Sequence, residues 1–178
     1  MLKKKISYTK AQGIPPKNRL IMAIFLLKFP LVFPPIKWLV KKYLRHCHNI
    51  GFYPGFTCLY GNIHARNVFL GNTVFFDYAP IYIGEKTMFS YDNMVITSSH
   101  QYEKDFTVTE AEPIYIGKNV WISTRCIILG GVRIGDNAVI GSGSVVTHDI
   151  PANCLVAGNP AKIIKRLAKK YNAAKKLR

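Results

Sequence analysis

Acidic side chains are scarce in this chain of 178 residues: nine Asp and Glu stand against 25 Lys and Arg, which gives a net charge of +16. Such a surplus of positive charge indicates an anionic partner, such as nucleic acid, a phosphorylated cofactor or an acidic membrane surface. The basic residues crowd the first 45 positions and the last 17, whereas the middle of the chain is nearly balanced. No RNA- or DNA-binding signature accompanies them, so a nucleic-acid partner is not expected.

The chain also lacks the cysteine patterns of a disulfide scaffold or a zinc site. Its four cysteines form no C-x-x-C pair, so we interpret them as reduced thiols in a cytoplasmic protein. His46, Cys47 and His48 are adjacent, but neighbouring residues rarely converge on one ion without further ligands. We therefore expect no metal site.

No uninterrupted apolar run is long enough to cross a membrane. Lys28, Pro30, Pro34 and Pro35 break the apolar N-terminal stretch well short of about 20 residues. A signal peptide is not expected either, because the stretch begins late and no A-x-A-like site follows it. We predict instead a basic, partly apolar helical N-terminal segment, residues 1–51, with short helices at about 18–28 and 35–47. It either contacts an anionic membrane surface or caps the protein's own core, and the sequence leaves both open.

A six-residue period governs the middle of the chain. Every sixth residue is aliphatic in the series Ile116, Ile122, Ile128, Ile134, Ile140 and Val146. Small or medium-sized residues follow four positions later, at Val120, Cys126, Val132, Ala138 and Ser144. A period of six fits neither a helix nor a simple exposed strand, and is typical of a parallel β-helix whose coils have three flat faces. The fold class is therefore mainly β.

The same period continues less regularly towards the N-terminus, so the β-helix is predicted to span 52–157. Its inward positions there are Cys58, His64, Leu70 and Phe76, then, after a one-residue slip, Ile83, Phe89 and Val95. The polar stretch TSSHQYEKDF interrupts the repeats, and we predict a protruding loop at 97–113. After a Gly158-Asn159-Pro160 turn, apolar residues at helical spacing predict a C-terminal amphipathic helix within 158–178.

Four motifs in the second half of the chain carry a family resemblance. They are NVWI at 119–122, IGDN at 134–137, GSGSVVT at 141–147 and AGNPAK at 157–162. Together they resemble the hexapeptide-repeat acyltransferases with a left-handed parallel β-helix. They are most similar to the branch with maltose and galactoside O-acetyltransferases and the O-acetyltransferases of bacterial surface polysaccharides. The resemblance covers roughly 65–167, and it alone implies the left hand of the helix.

The resemblance implies a homotrimer with acetyl-CoA, the acyl donor, held between neighbouring subunits. It also implies that a histidine on the protruding loop acts as general base, and His100 fills that position. The chemistry agrees, because a sugar hydroxyl is a poor nucleophile until a positioned base takes its proton. A solvated loop histidine is the alternative interpretation of His100.

The resemblance further assigns candidate binding residues. Asp77 and Asn72 match positions near the carbohydrate acceptor, although Asp77 could instead cap a turn or orient the histidine. The candidate acetyl-CoA-binding residues are Trp121, Thr124, Ser142, Thr147, Lys162 and Lys165. Each assignment has an alternative. Trp121 could pack between subunits, the hydroxyl residues could form turns, and the lysines could lie on a solvated helix face.

The favoured function is a CoA-dependent O-acetyltransferase acting on a sugar hydroxyl in bacterial surface polysaccharide or lipopolysaccharide synthesis. The main alternative is an N-acetyltransferase acting on an amino sugar, free or nucleotide-linked. We do not favour a γ-carbonic anhydrase, because that enzyme needs three converging histidines. We do not favour a purely structural β-helix either, because it would not need the loop histidine. We expect a cytoplasmic protein, with peripheral contact at the inner face of the plasma membrane left open.

Overall fold

The structure is a computed structural model that describes residues 6–8, 42–101 and 105–168. These residues form eighteen strands, most of them two to five residues long. Parallel pairing between strands of successive coils arranges fourteen of them as three flat faces of one solenoid. The described helical residues do not amount to a membrane-spanning helix.

Each face is a ladder of parallel strands. The first face contains β2 (Cys47–Gly51), β4 (Ile63–Phe69), β6 (Ile81–Ile83), β11 (Ile114–Ile116) and β14 (Arg133–Ile134). The second contains the end of β4 followed by β7 (Met88–Phe89), β12 (Trp121–Ile122), β15 (Val139–Ile140) and β17 (Cys154–Ala157). The third contains β3 (Thr57–Cys58), β5 (Val74–Phe76), β8 (Met94–Ile96), β13 (Ile127–Leu129) and β16 (Val145–Val146).

The strand register confirms the six-residue period. Ile116 pairs with Ile134, Ile122 with Ile140, and Ile128 with Val146, so one coil takes 18 residues, or three units of six. All six aliphatic anchors are buried, and so are the five small or medium-sized residues that follow them. The anchors stack on one another along the axis, and the smaller residues fit the corners where three faces meet.

The N-terminal coils follow the period less closely than the sequence predicts. Cys58 and Leu70 are fully buried as expected, but Phe75 rather than Phe76 enters the core. His64 lies on the outside, between buried neighbours Ile63 and Ala65. β4 turns from the first face to the second within seven residues, which places Ala65 rather than His64 inside. The next inward residues, Leu70 and Phe75, are five positions apart rather than six.

The interruption at 97–113 is a β-hairpin rather than an irregular loop. β9 (Ser98–Gln101) pairs antiparallel with β10 (Asp105–Ala111). Across it, Ile83 pairs with Ile116, 33 residues later instead of 18, so fifteen extra residues leave the coil. The β-branched residues of β10 favour the extended backbone. A short strand, β1 (Ile6–Tyr8), lies antiparallel along the other edge of β10.

Both ends of the solenoid differ from the predicted helices. The helix predicted at 18–28 lies outside the described residues. Of the one predicted at 35–47, only Lys42 and Tyr43 are described as helical; a turn follows, and Cys47 begins β2. Leu44 is buried in the core and Tyr43 packs against it, so this part of the N-terminal segment caps the first coil.

The predicted C-terminal helix is wrong for its first residues. Lys162–Arg166 forms β18, which pairs antiparallel with β17 at the edge of the last coil. An open sheet edge offers unpaired backbone groups, and pairing with them outweighs the helical spacing of the side chains. Residues 169–178 lie outside the described residues.

Candidate functional site

The foot of the hairpin is held firmly where the third face turns into the first. Thr97 is buried, and its hydroxyl donates to the carbonyl of Phe76 at 2.8 Å and accepts from the amide of Ala79 at 3.0 Å. The amide of Glu112 donates to the Thr97 carbonyl at 2.8 Å and closes the hairpin. A Cβ on Gly130 would lie 2.7 Å from the Thr97 carbonyl oxygen, so the next coil supports the hairpin from beneath.

His100 lies on β9 of this hairpin, opposite Thr109, and is exposed. No hydrogen bond or ion pair within the described residues engages its imidazole. The histidine is therefore carried, exposed, on an element whose foot is anchored to the solenoid. An orienting contact from Asp77, one of the alternatives left by the sequence, is absent among the described residues.

Asp77 is fully buried, and its carboxylate serves the local turn. One oxygen accepts the amides of Leu59 (2.7 Å) and Tyr60 (3.0 Å), and the other accepts the amide of Asn62 (2.7 Å). Burial raises the pKa of Asp77, and the backbone donors oppose that rise in pKa. The geometry is that of the turn-capping alternative and gives no support to an acceptor contact.

Asn72 lies at another corner, between the second and third faces. Its amide nitrogen donates to the Asp92 carboxylate at 2.8 Å, and its oxygen accepts the Asp92 backbone amide at 2.7 Å. Asp92 also lies 3.8 Å from the guanidinium of Arg125 in the following coil. These contacts tie three successive coils together and leave Asn72 half-buried.

Thr124 and Ser142 belong to the same corner as Asn72. The amide of Gly143 donates to the Thr124 carbonyl at 2.9 Å, and the hydroxyls of Ser123 and Ser142 are 2.7 Å apart. Ser123 was not singled out by the sequence, because it meets Ser142 only after a full coil. The corner presents a row of hydroxyl groups along the solenoid.

Trp121 stands on the outside of the second face, beside this corner. It is 49% exposed, and its indole donates to the Ser90 hydroxyl at 3.2 Å. A cavity of about 340 Å³ lies beside it, lined also by Met88, Val139 and Leu167. An exposed ring next to a small apolar cavity is suited to contact a ligand or a neighbouring subunit.

The remaining candidates lie apart from this corner. Thr147 follows the third face, and its hydroxyl is 2.7 Å from the His148 ring. Lys162 and Lys165 are exposed on β18 at the edge of the last coil. The structure thus divides the candidates between two corners. Asn72, Thr124 and Ser142 share one, whereas Asp77, the His100 hairpin and Thr147 share the other, across the width of the third face.

The adjacent residues His46 and Cys47 each have a hydrogen-bond partner of their own. The Arg45 guanidinium donates to the His46 imidazole at 3.0 Å, and the Cys47 thiol donates to the Ile63 carbonyl. Burial raises the pKa of Cys47 to about 11, which keeps it protonated. Over the described ranges, no three His, Cys, Asp or Glu side chains converge. All four cysteines are unpaired, as the sequence predicts.

Comparison with known proteins agrees with these features. The family model "Bacterial transferase hexapeptide (six repeats)" matches residues 113–148. A putative acetyltransferase of Saccharomyces cerevisiae is 36% identical over 138 residues, covering 74% of this chain and 70% of the relative. The galactoside O-acetyltransferase of Lactococcus lactis is 34% identical over 132 residues, and the match spans 66% of this chain but only 64% of that enzyme.

Solved structures of sugar acetyltransferases are also similar to this chain, over a larger share of its length. A maltose O-acetyltransferase from Clostridium difficile has 30% identity and a TM-score of 0.71, covering 85% of this chain and 84% of its own. A galactoside acetyltransferase in complex with coenzyme A has 28% identity and a TM-score of 0.76, with 91% and 86% coverage.

Proposed function

Because the chain belongs to the hexapeptide-repeat acetyltransferases, we propose that it transfers the acetyl group of acetyl-CoA to a sugar hydroxyl in bacterial surface polysaccharide or lipopolysaccharide synthesis. The observation that carries the proposal is the fifteen-residue hairpin, which carries an exposed His100 away from the coils of the solenoid. The relatives named as galactoside and maltose O-acetyltransferases support a sugar acceptor. The alternative is N-acetylation of an amino sugar, free or nucleotide-linked.

In the proposed reaction, the imidazole of His100 takes the proton of the acceptor hydroxyl as its oxygen attacks the thioester carbonyl. The C–S bond then breaks, and the imidazolium returns its proton to the departing CoA thiolate. No acyl-enzyme is needed because the thioester is already activated. Base assistance of this kind typically contributes about 10²–10⁴-fold.

Donor binding is proposed along the corner between the second and third faces. Trp121 would flank the reactive end of acetyl-CoA, and the hydroxyl groups of Thr124 and Ser142 would contact the pantetheine arm. Thr147 would contact the donor from another subunit's corner. Lys162 and Lys165 would meet its phosphates, since clustered exposed ammonium groups attract them.

A homotrimer would bring the two corners together. One prism holds them on opposite edges of the third face, about five residues or about 16 Å apart. A site between subunits would place the His100 hairpin of one chain against the Thr124–Ser142 corner of the next. The exposed apolar side chains of Met88 and Trp121 support coverage of the second face by another subunit.

For the acceptor site, we propose that Asp77 acts indirectly by fixing the turn 59–62, and that Asn72 contributes its remaining amide N–H. We also propose that the basic N-terminal segment makes peripheral contact with an anionic membrane, which would place a cytoplasmic enzyme near a lipid-linked acceptor. Flotation with anionic liposomes tests this contact: replacing Lys37 and Lys41 by Gln should reduce binding, and equal binding by both proteins would refute it.

The decisive test of the chemistry is His100→Ala. We expect a folded protein that still binds CoA but transfers acetyl at least about 100-fold more slowly, because the base is lost. CoA release with a panel of sugar acceptors measures the rate, and a competing amino sugar in the same assay distinguishes O- from N-transfer. His48→Ala, which removes an exposed histidine far from the hairpin, is the control. Unchanged turnover in His100→Ala would exclude His100 as the base.

A further inference from the structure

A ladder of stacked side chains runs along the outside of the first face. The rings of His46 and His64 are 4.4 Å apart, those of His64 and Tyr82 are 4.7 Å apart, and those of Tyr82 and Tyr115 are 5.1 Å apart. The guanidinium of Arg133 lies 4.1 Å from the centre of the Tyr115 ring and ends the stack. Each member belongs to the next coil, so the ladder follows the axis of the solenoid.

A groove of about 780 Å³ runs beside this ladder. Its floor contains Gly84, Gly117 and Gly135, where a Cβ would approach the next coil to within 2.4–2.6 Å. The close approach of the coils therefore requires glycine and leaves the floor free of side chains. The lining extends from His64 to Ala152 over five coils, and at about 4.8 Å per coil the groove is about 19 Å long.

The ladder presents ring edges and polar atoms to the groove, because the ring faces are stacked on one another. Tyr82 is 39% exposed, and no hydrogen bond within the described part of the chain uses the hydroxyl of Tyr82 or Tyr115. Burial, followed by the charges of His46 and Arg45, lowers the pKa of His64. Its neutral ring can both donate and accept hydrogen bonds near neutral pH.

The charge of the groove is balanced, which bears on what it can hold. Lys118 and Arg133 supply positive charge, and Asp136 and Asp149 supply negative charge. The two carboxylates are fixed by the backbone amides of Lys118 and Arg133, each at 2.8 Å. An overall neutral, elongated ligand with many hydroxyl groups matches this lining better than a phosphate-rich or acidic one.

The groove and the hairpin that carries His100 adjoin the same face, because β11, whose Tyr115 lines the groove, directly follows the hairpin. Tyr115 lies four residues after Ala111, the last residue of β10, and the Glu112 amide closes the hairpin foot. A chain lying along the first face would therefore lead towards the hairpin. We propose that this groove binds the non-reacting part of an oligosaccharide or polysaccharide acceptor, which makes the substrate a glycan chain rather than a free monosaccharide. This inference rests on the proposed function.

The test is calorimetric binding of bacterial-type oligosaccharides, from one to eight sugar residues, to the full-length protein. We expect affinity to rise with chain length until the groove is filled. Tyr82→Phe combined with Tyr115→Phe keeps both rings in the stack but removes both hydroxyls, and should weaken binding of the longest ligands about tenfold. In transfer assays, the same variant should raise KM for long acceptors and leave the rate with monosaccharides unchanged.

The matched control is Tyr91→Phe, which removes a hydroxyl from an exposed tyrosine outside the groove. Absence of any length-dependent binding across the panel, or equal affinity in the double variant, would overturn the proposal. If Arg133→Glu dissociates the oligomer in sedimentation, the groove is a subunit contact and the proposal also fails. If acetyl transfer does not depend on His100, the proposed function is refuted. Calorimetry measures ligand binding to the groove and requires no acetyl transfer, so the two proposals can fail separately.

Discussion

At the scale of the residue, the surroundings of Asp77 select one role from several that its sequence position allows. The sequence permitted contact with an acceptor, orientation of the histidine or capping of a turn. In the structure, its carboxylate is buried beneath three backbone amides from Leu59, Tyr60 and Asn62. Those donors lie 15–18 residues earlier, so they become neighbours only because one coil stacks on the next.

We expect Asp77→Asn to lower the free energy of unfolding by about 1–3 kcal/mol, because the new amide N–H would face the Asn62 amide and leave it unpaired. Urea denaturation monitored by circular dichroism measures the change. Asp136→Asn is the control, since this exposed carboxylate also accepts a backbone amide, from Lys118. Its effect should stay within about 0.5 kcal/mol.

The same variant should also change how stability depends on pH. Burial raises the pKa of Asp77 in the folded state, so the folded protein retains a proton that the unfolded chain loses as pH rises through this window. This group's contribution to stability therefore declines with rising pH. In the pH range between the pKa of Asp77 in the unfolded chain and its pKa in the folded protein, the wild-type free energy of unfolding should fall more steeply with pH than that of Asp77→Asn. Parallel curves would contradict the assignment.

At the scale of the element, the hairpin is supported from both sides. Its foot is fixed by Thr97 and Gly130, and its outer edge is covered by β1, where Tyr8 pairs with Thr109 and Thr109 pairs with His100. An added strand satisfies backbone groups that would otherwise form an open edge. The N-terminal segment, which the family resemblance does not cover, thus contacts the element that carries the candidate base.

Deleting residues 1–8 should loosen the hairpin without unfolding the solenoid. We expect faster amide hydrogen exchange in Asp105–Ala111 and a lower transfer rate, because His100 would be less well positioned. Mass-spectrometric exchange measures this, and the Ile127–Leu129 peptide of the third face is the internal control. Unchanged exchange in β10 would show that β1 does not stabilise the hairpin.

The edge strand β18 offers a second test at this scale. Replacing Lys162 and Lys165 by Ala should raise KM for acetyl-CoA roughly tenfold, because the two proposed contacts to the CoA phosphates are lost. S-acetyl-pantetheine lacks the nucleotide phosphates, so its KM should be the same for both proteins. An equal rise with both donors would instead indicate a change in the pantetheine site or in the fold.

At the scale of the whole molecule, the division of the candidates between two corners argues for a site shared by subunits. Met88→Glu places a charge on the exposed apolar second face, and burying it in an interface would be costly. We expect the proposed trimer to dissociate in sedimentation velocity experiments, with the secondary structure retained. Lys118→Glu on the first face is the control and should remain trimeric. If the Met88→Glu protein remains trimeric, the subunit interface does not involve this part of the second face.

Much of the solenoid could be read from the sequence because its cause is local and repeated. Each unit of six must supply one aliphatic anchor and one small corner residue, and buried Ile122, Ile128 and Ile140 follow this rule. The irregular elements could not be read in this way. β18 is a strand because β17 offers it an edge, and Phe75 replaces Phe76 in the core because the unit after Leu70 has five residues instead of six.

The sequence by itself determined the period, the inward residues of the regular coils and the position of the break that carries His100. These properties depend on residues no more than a few positions apart. Only the tertiary structure decided that the break is a supported hairpin, that Asp77 caps a turn and that a groove lies beside the Tyr82–Tyr115 ladder. Each of these depends on contacts between residues that are a coil or more apart in the sequence. Such residues become neighbours because successive coils stack on one another.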